Sequence, residues 1–163
     1  LEPSCLLTLR DEYKVLMPGD DTDELAKNVF LLEEFLATEH ATGRLQLDLK
    51  PIVSKKALLH GHCHQKAFNV MSAVQKVLSL IPELEVKTID SSCCGMAGSF
   101  GYEKEHYDIS MKMGSLSLFP AVKEADTDVL IVADGTSCRS QIEHGTGKQA
   151  MHVARVLQMA LNS

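Results

Sequence analysis

Residues 84–95 of the chain, LEVKTIDSSCCG, join a short run of alternating apolar and polar residues to two adjacent cysteines and a glycine. The run from Leu84 to Ile89 has the period of a half-buried β-strand. Cys93 and Cys94 follow it closely, and neighbouring cysteines are too constrained to form an easy disulfide with each other. Two thiols beside a glycine suit a large anionic inorganic centre that the backbone must approach closely. The segment therefore predicts a strand that leads into a metal-binding loop.

The same order of strand and cysteine occurs on both sides of this segment. Residues 57–60, ALLH, form a strand candidate that precedes Cys63, and residues 129–133, VLIVA, precede Cys138. The second run is continuous and β-branched, as in a central parallel strand. Because the carboxyl ends of parallel strands meet at one edge of a sheet, we expect four thiols to lie together there. They are those of Cys63, Cys93, Cys94 and Cys138.

Amphipathic periodicity places helices between the predicted strands. Helices are predicted over residues 66–80, over residues 103–118 and after Gly147. In the first fifty residues, Asp21 and Glu24 resemble a capping box before a helix that runs to residue 38, and residues 45–49 form a possible short strand. The predicted fold class is therefore α/β, a parallel sheet of βαβ units flanked by helices, with an N-terminal helical segment.

A faint internal repeat suggests how the chain is organised. Residues 2–9, EPSCLLTL, parallel residues 135–142, GTSCRSQI, since both lead from Ser-Cys into a helical stretch. We therefore expect residues 1–50 to be the tail of a preceding cysteine-rich unit with a connecting helix, and residues 51–163 to be one complete unit. The start without methionine also favours a fragment of a longer polypeptide.

Composition restricts the class of protein. With 163 residues and a net charge of −6, the chain has no basic stripe for nucleic acid. No apolar run approaches the roughly 18 residues of a membrane span, and the first residues lack the features of a signal peptide. Five cysteines with seven histidines favour metal or redox chemistry over a disulfide scaffold. We expect a cytoplasmic location, with peripheral binding to the inner face of the membrane as the alternative.

Glycines and histidines near the cysteines are the other candidates for cofactor binding. Gly95 and Gly98 allow the backbone to approach a cluster and donate N–H···S bonds. His60, His62 and His64 alternate on an extended segment, so all three cannot readily converge on one zinc ion with Cys63. We expect one imidazole to donate a hydrogen bond to cluster sulfur or cofactor, and assign His62 and His64 as the candidates.

Taken together, these residues resemble the cysteine-rich CCG domain. The residues His62-Cys63-His64, Cys93-Cys94-Gly95 and Thr136-Ser137-Cys138 match the family pattern in order, and the resemblance covers essentially the whole chain. The domain occurs in single subunits of heterodisulfide reductase and of anaerobic glycerol-3-phosphate dehydrogenase, and in the glycolate oxidase iron–sulfur subunit. Residues 60–67, HGHCHQKA, and 94–103, CGMAGSFGYE, are most similar to the C-terminal region of large FAD-linked D-2-hydroxy-acid oxidoreductases.

The resemblance implies an electron-transfer domain with a 4Fe–4S cluster on Cys63, Cys93, Cys94 and Cys138. FAD would lie on an upstream domain or on a partner protein and would oxidise a 2-hydroxy acid such as D-lactate, glycolate or 2-hydroxyglutarate. The cluster would pass electrons to a quinone or protein acceptor, and Cys5 would belong to the cluster of the preceding unit. In the closing Cys-x-x-Cys of the family pattern, Gly135 and, earlier, Glu2 replace the first cysteine, which leaves cubane and noncubane geometry open.

Two other functions are compatible with the same residues. One is thiol–disulfide reduction at the cluster itself, as in the heterodisulfide reductase relatives, and the other is a binding module with structural zinc. No residues supply a general base together with a clamp for a substrate carboxylate. We therefore assign no catalytic residue and expect the oxidation of the substrate to take place outside this chain.

Overall fold

The computed structural model of the protein describes residues 2–161. Within them, three strands form a parallel sheet in the order β2-β1-β3. They are β1 (Lys56–His60), β2 (Glu85–Thr88) and β3 (Leu130–Ala133). Ala57 of the central strand pairs with Val86 on one side and Leu130 on the other. The predicted α/β fold with a parallel sheet is confirmed, and all three strand candidates around the cysteines form strands.

Helices surround this sheet and make up the N-terminal segment. They are α1 (Pro3–Thr8), α2 (Glu12–Leu16), α3 (Asp20–Asn28), α4 (Leu32–Ala41), α5 (Cys63–Ala67), α6 (Met71–Leu78), α7 (Tyr107–Ser115), α8 (Leu118–Glu124), α9 (Thr136–Thr146) and α10 (Val153–Leu161). A single 3₁₀ turn spans Phe100–Tyr102. No helix within residues 2–161 has the length and apolarity that crossing a membrane requires. The predicted division at residue 50 stays a prediction.

Alternation along the strands fills a core on each face of the sheet. Ala57, Leu59 and Val132 belong to one buried cluster, which includes residues of α6 and α10. Ile131 and Ala133 belong to the other, which includes residues of α8 and α9 together with Cys94 and Cys138. The two faces are therefore both covered, as the parallel arrangement requires.

The helix predicted over residues 66–80 is interrupted. Asn69 adopts a left-handed conformation with φ of 56°, so α5 ends at Ala67 and α6 begins at Met71. Asparagine is one of the few residues other than glycine that reach this conformation at low cost. The interruption divides the predicted apolar stripe, because Phe68 packs with Leu7 in a separate cluster while Val74 remains in the main core.

The helix predicted over residues 21–38 is also two helices. The Arg10 guanidinium donates to the carbonyl oxygen of Val29 (2.7 Å from Nε) and pairs with the Glu34 carboxylate (2.6 Å from Nη2). Glu34 in turn accepts a hydrogen bond from the backbone N–H of Leu31. These contacts satisfy backbone groups that a continuous helix would have paired internally, so α3 ends at Asn28 and α4 begins at Leu32.

Three further predictions of local structure were wrong. Residues 45–49 form an irregular segment, after which the N–H of Lys50 bonds to the carbonyl of Ala160 rather than to a strand. The helix expected over residues 103–118 is α7 alone, and α8 contains Pro120 in its first turn, where a missing N–H costs no helical bond. Gly147, with φ of 73°, ends α9, and α10 begins only at Val153.

The Phe119 ring is enclosed by two glycines from neighbouring helices. A Cβ atom at Gly114 of α7 or Gly145 of α9 would lie less than 3 Å from ring carbons of Phe119. The ring is 3% exposed and belongs to the core that contains Cys94 and Cys138. Close contact between α7, α8 and α9 therefore depends on the absence of side chains at these two positions.

We predict that Gly145→Ala destabilises the fold. Overpacking a close-packed core costs about 1–3 kcal/mol, against about 1 kcal/mol gained because alanine is the better helix former. Urea unfolding should show a lower free energy of unfolding for the variant. In a Phe119→Leu background the smaller side chain leaves room, so the additional loss from Gly145→Ala should shrink; an equal loss in both backgrounds would contradict the packing argument.

Candidate metal centre

A cavity of about 310 Å³ lies at the carboxyl ends of the strands and is lined by four thiols. Cys63 begins α5 just after β1, and Cys138 lies in the first turn of α9 just after β3. Cys93 and Cys94 lie in the loop that follows β2. The expected meeting of Cys63, Cys93, Cys94 and Cys138 at one edge of the sheet is what the structure shows, and all are free thiols.

The four sulfur atoms form a row linked by hydrogen bonds. Cys63 pairs with Cys93, Cys93 with Cys94, and Cys94 with Cys138. The hydrogen bond from Cys94 lowers the pKa of Cys138 to about 5, and hydrogen bonds from Cys63 and Cys94 lower the pKa of Cys93. The same bonds, with burial, raise the pKa of Cys63 and Cys94. Two positions therefore favour the thiolate, which is the metal-binding form.

The loop after β2 curls tightly around Cys93. The backbone N–H of Gly95 donates to Cys93 Sγ at 3.3 Å, and φ is positive at Gly95 (102°), Ala97 (42°) and Gly98 (70°). A Cβ atom at Gly95 would collide with the carbonyl oxygen of Ser110. Gly95 is thus required for both conformation and space, whereas Gly98 lines the cavity itself. Their role in binding a cofactor stays a prediction.

His62 and His64 both line the cavity, as their assignment as candidates requires. The Nδ1 atom of His62 accepts a hydrogen bond from the backbone N–H of His64 at 3.2 Å and thereby caps α5. Burial lowers the pKa of His62, which favours the neutral imidazole. A neutral ring with Nδ1 engaged keeps its proton on Nε2, so that nitrogen is the one available to a cofactor.

His60 is the histidine that lies beside the buried thiols, and the sequence analysis did not assign it. One of its ring nitrogens, Cys94 Sγ and Cys138 Sγ lie within 4.8 Å of one another. Its Nδ1 atom is 2.9 Å from Ser91 Oγ, while buried Nε2 has no hydrogen-bond partner among the described residues. The signal was the period of β1, which places His60 on the same face as Leu58, toward the core that contains both cysteines.

Position 135 explains how the site accommodates the missing cysteine. A Cβ atom at Gly135 would collide with Cδ2 of His62 and lie 3.2 Å from Cys138 Sγ. The His62 ring thus occupies the space that a side chain at this position would need. Four thiols, rather than five, are the sulfur ligands that this cavity offers.

Cys5 lies outside the cavity. It is exposed on α1, whereas its neighbour Ser4 lines the cavity wall. Glu2 Oε2 accepts hydrogen bonds from the backbone N–H and from Oγ1 of Thr136, each at 2.9 Å, and these bonds lower the pKa of Glu2 against the effect of burial. The N-terminal segment is thereby fixed to the start of α9, while the assignment of Cys5 to another cluster stays a prediction.

A buried amide braces the two loops that carry Cys63 and Cys138. Gln65 Oε1 accepts from the backbone N–H of His62 at 3.0 Å, and Gln65 Nε2 donates to Asp134 Oδ2 at 2.8 Å. The other oxygen of Asp134 accepts from the N–H of Val153 at 3.0 Å. Sequence reasoning missed both residues, because nothing in the local pattern indicates that side chains 69 positions apart will meet.

Glu33 of α4 is buried against this brace. Its side chain is 2% exposed, and carboxylate oxygens of Glu33 and Asp134 lie within 4.8 Å of each other and of a His152 ring nitrogen. Burial, followed by the negative charge of Asp134, raises the pKa of Glu33 from the ordinary 4.5 to about 7. Glu33 therefore holds a proton over much of the acidic range.

The donor set fits an iron–sulfur cluster. Four thiols surround one cavity, a backbone N–H already donates to one of the sulfur atoms, and the unpartnered Nε2 of His60 lies buried in the neighbouring core. Four cysteine ligands are what a 4Fe–4S cluster takes, and hydrogen bonds to sulfur tune such clusters. The same set contains sulfur and nitrogen ligands suitable for zinc.

Comparison with known proteins shows relatives among dehydrogenases. The chain is 34% identical over 158 residues to one named subunit of the anaerobic glycerol-3-phosphate dehydrogenase of Escherichia coli (strain K12), covering 97% of this chain and 39% of that protein. It is 27% identical over 161 residues to "D-2-hydroxyglutarate dehydrogenase" of the same organism, covering 96% of this chain and 15% of that protein. The Haemophilus influenzae protein of the same name is 29% identical over 150 residues, covering 88% and 14%.

The chain thus spans well under half the length of these curated relatives. No family model matches the chain, and no solved structure matches it significantly.

We predict that Glu33 makes the stability of the fold depend on pH. Because the pKa of Glu33 is higher in the folded than in the unfolded chain, its stabilising contribution is complete below about pH 4.5 and is lost as pH rises through 7. The loss amounts to at most about 3 kcal/mol. In Glu33→Gln, which cannot ionise, the free energy of unfolding should fall less between about pH 5 and pH 8.

Urea unfolding at both pH values measures this difference, in reductant so that the thiols remain reduced. The matched control is Glu105→Gln, an exposed glutamate, which should keep the wild-type dependence. An unchanged pH dependence in Glu33→Gln would contradict the assignment.

Proposed function

We propose that this chain is the iron–sulfur electron-transfer domain of an FAD-dependent dehydrogenase, with a 4Fe–4S cluster held by Cys63, Cys93, Cys94 and Cys138. The observation that carries the proposal is the convergence of four thiols from three strand ends on one cavity. A row of mutually hydrogen-bonded thiols has no evident use in packing, because each thiolate it contains costs desolvation energy. Such a row is suited to deprotonation by a metal centre.

The spread of the thiols favours a cluster over a single ion. The compact group of ligand atoms, within 4.8 Å of one another, contains Cys94 and Cys138 with His60 but neither Cys63 nor Cys93. A single tetrahedral ion binds sulfur at about 2.3 Å, which brings all its ligands close together. A cluster presents four iron atoms at its corners and can therefore bind sulfur atoms that lie further apart.

The surrounding residues have defined roles in such a site. When bound, a 4Fe–4S cluster supplies one-electron transfer. The N–H of Gly95 donates to Cys93 sulfur and stabilises its thiolate. The imidazoles of His60 and His62 both act to lower the pKa of Cys138, and Gly98 leaves the cavity wall without a side chain. The Gln65–Asp134 brace keeps the loops of Cys63 and Cys138 at a constant separation.

The relatives support the wider setting of the proposal. The two kinds of matched protein are dehydrogenases by name, one of them is a subunit of a larger enzyme, and this chain spans only part of each. We therefore place FAD and the oxidation of the substrate on another domain or partner protein, and the cluster between the flavin and a quinone or protein acceptor. A 2-hydroxy acid of the D-lactate, glycolate or 2-hydroxyglutarate type is the proposed substrate of the whole enzyme.

The CCG pattern supports the proposed organisation of the chain. Residues 51–163 contain all four cavity cysteines and the complete sheet, as one whole cysteine-rich unit would. Residues 1–50 contribute Cys5, and their Glu2 bonds to Thr136, two residues before Cys138. This arrangement fits the tail of a preceding unit packed on the unit that follows it.

Structural zinc is the second candidate. The observation that favours it is the group of His60, Cys94 and Cys138, since sulfur and nitrogen ligands within 4.8 Å of one another suit a tetrahedral zinc ion. Zinc would have to take its fourth ligand from the remaining thiols and leave another thiol unused. Metal content distinguishes the two functions directly.

We predict about four iron and four sulfide per chain after anaerobic purification and reconstitution, with broad visible absorbance. Cys94→Ser and Cys138→Ser should each lose most of both, because a serine hydroxyl does not replace a thiolate ligand. Cys5→Ser is the matched control and should keep the wild-type content, since Cys5 lies outside the cavity. About one zinc without iron would replace the cluster by the zinc site, and the absence of any metal would overturn both.

A further inference from the structure

Lys66 connects the helix that begins with Cys63 to the loop that carries Cys93 and Cys94. Its Nζ atom donates to the carbonyl oxygen of Ser91 and to that of Ser92, the latter at 2.7 Å. Ser91 and Ser92 directly precede the cysteine pair, and Lys66 follows Cys63 by one helical turn. One ammonium group therefore fixes the relative position of three of the four thiols.

The path of the lysine side chain depends on Gly61. A Cβ atom at Gly61 would lie 3.1 Å from Cε of Lys66 and 2.5 Å from Sδ of Met71. The half-buried stem of Lys66 thus passes through space that only glycine leaves open at position 61. A lysine on a free surface would sample many rotamers, whereas this one is enclosed and bound at its tip.

The ammonium group also lies within electrostatic reach of the whole row of thiols. Burial lowers the pKa of Lys66, and Cys138, Cys63, Cys93 and Cys94 each act to raise it. Arg139 is another cation at this edge of the sheet, but its guanidinium donates to the carbonyls of Ala133 and Asp134 and to Thr136 Oγ1. Lys66 is the cation whose interaction with all four thiols is described.

We propose that Lys66 is a positioning residue for the cluster and raises its reduction potential, by holding the Ser91–Cys94 loop and by placing a positive charge beside the four sulfur ligands. This inference rests on the proposed function. A cluster with four thiolates is an anion, and reduction adds a further negative charge. A fixed nearby cation stabilises the reduced form more than the oxidised form, since the Coulomb energy grows with the charge.

Three variants separate the charge from the packing. Lys66→Gln removes the charge and retains a donor for the carbonyls, Lys66→Arg retains the charge, and Lys76→Met is a matched control that removes an exposed lysine of α6. Each protein is reconstituted anaerobically, its iron and sulfide are measured, and its midpoint potential is determined by a redox titration followed in the visible spectrum. Activity of the full enzyme is not needed.

We expect wild type, Lys66→Arg and Lys76→Met to titrate together, and Lys66→Gln to titrate at a more negative potential. At the wild-type midpoint, the ratio of reduced to oxidised cluster should fall about tenfold in Lys66→Gln, which corresponds to about 59 mV for one electron. Lys66→Gln with the wild-type potential would overturn the inference. If Lys66→Gln fails to retain the cluster, Lys66→Arg must retain it; loss in both also overturns the inference.

The proposed function is tested by a separate readout of the same experiment. Wild type and Lys76→Met without iron and sulfide would overturn the proposed function and with it the role of Lys66. Wild type with a full cluster and an unchanged potential in Lys66→Gln would leave the proposed function standing and remove only the inference about Lys66.

Discussion

The parallel arrangement of β1, β2 and β3 is the constraint on which the site depends. Because parallel strands all end at the same edge, the residues that follow them must lie together even when they are far apart in sequence. Here those residues are Cys63, the pair Cys93 and Cys94, and Cys138. The sheet is covered on both faces by helices, so the shared edge is where the fold leaves a cavity.

Polar contacts then hold the loops at this edge in one arrangement. Gln65 and Asp134 join the loops after β1 and β3, and Lys66 joins α5 to the loop after β2. Glu2 adds the N-terminal segment through Thr136. Placing buried groups such as Asp134 and Glu33 here costs desolvation energy, which their hydrogen bonds and, for Glu33, a retained proton offset. The cavity is therefore kept open by a network rather than by apolar packing alone.

Local patterns predicted the strands well and the helices poorly, for one physical reason. The strands depend on alternation and β-branching, which their own sequences contain. The helix boundaries depend on contacts from elsewhere, such as that between Arg10 and the carbonyl of Val29, or on a single backbone conformation, as at Asn69. The irregular path of residues 45–49 shows the converse, since an alternating pattern buried one side of the segment without any neighbouring strand.

The sequence by itself determined the α/β class, the parallel sheet and the meeting of four cysteines at its edge, because the order of strands and thiols along the chain suffices for each. The tertiary structure alone decided which histidine lies beside the buried thiols, that His62 fills the space at Gly135, and that Glu33 meets Asp134. It also brought Lys66 to the cysteine loop. These contacts join residues from different elements, and their distances depend on how those elements pack rather than on any local pattern.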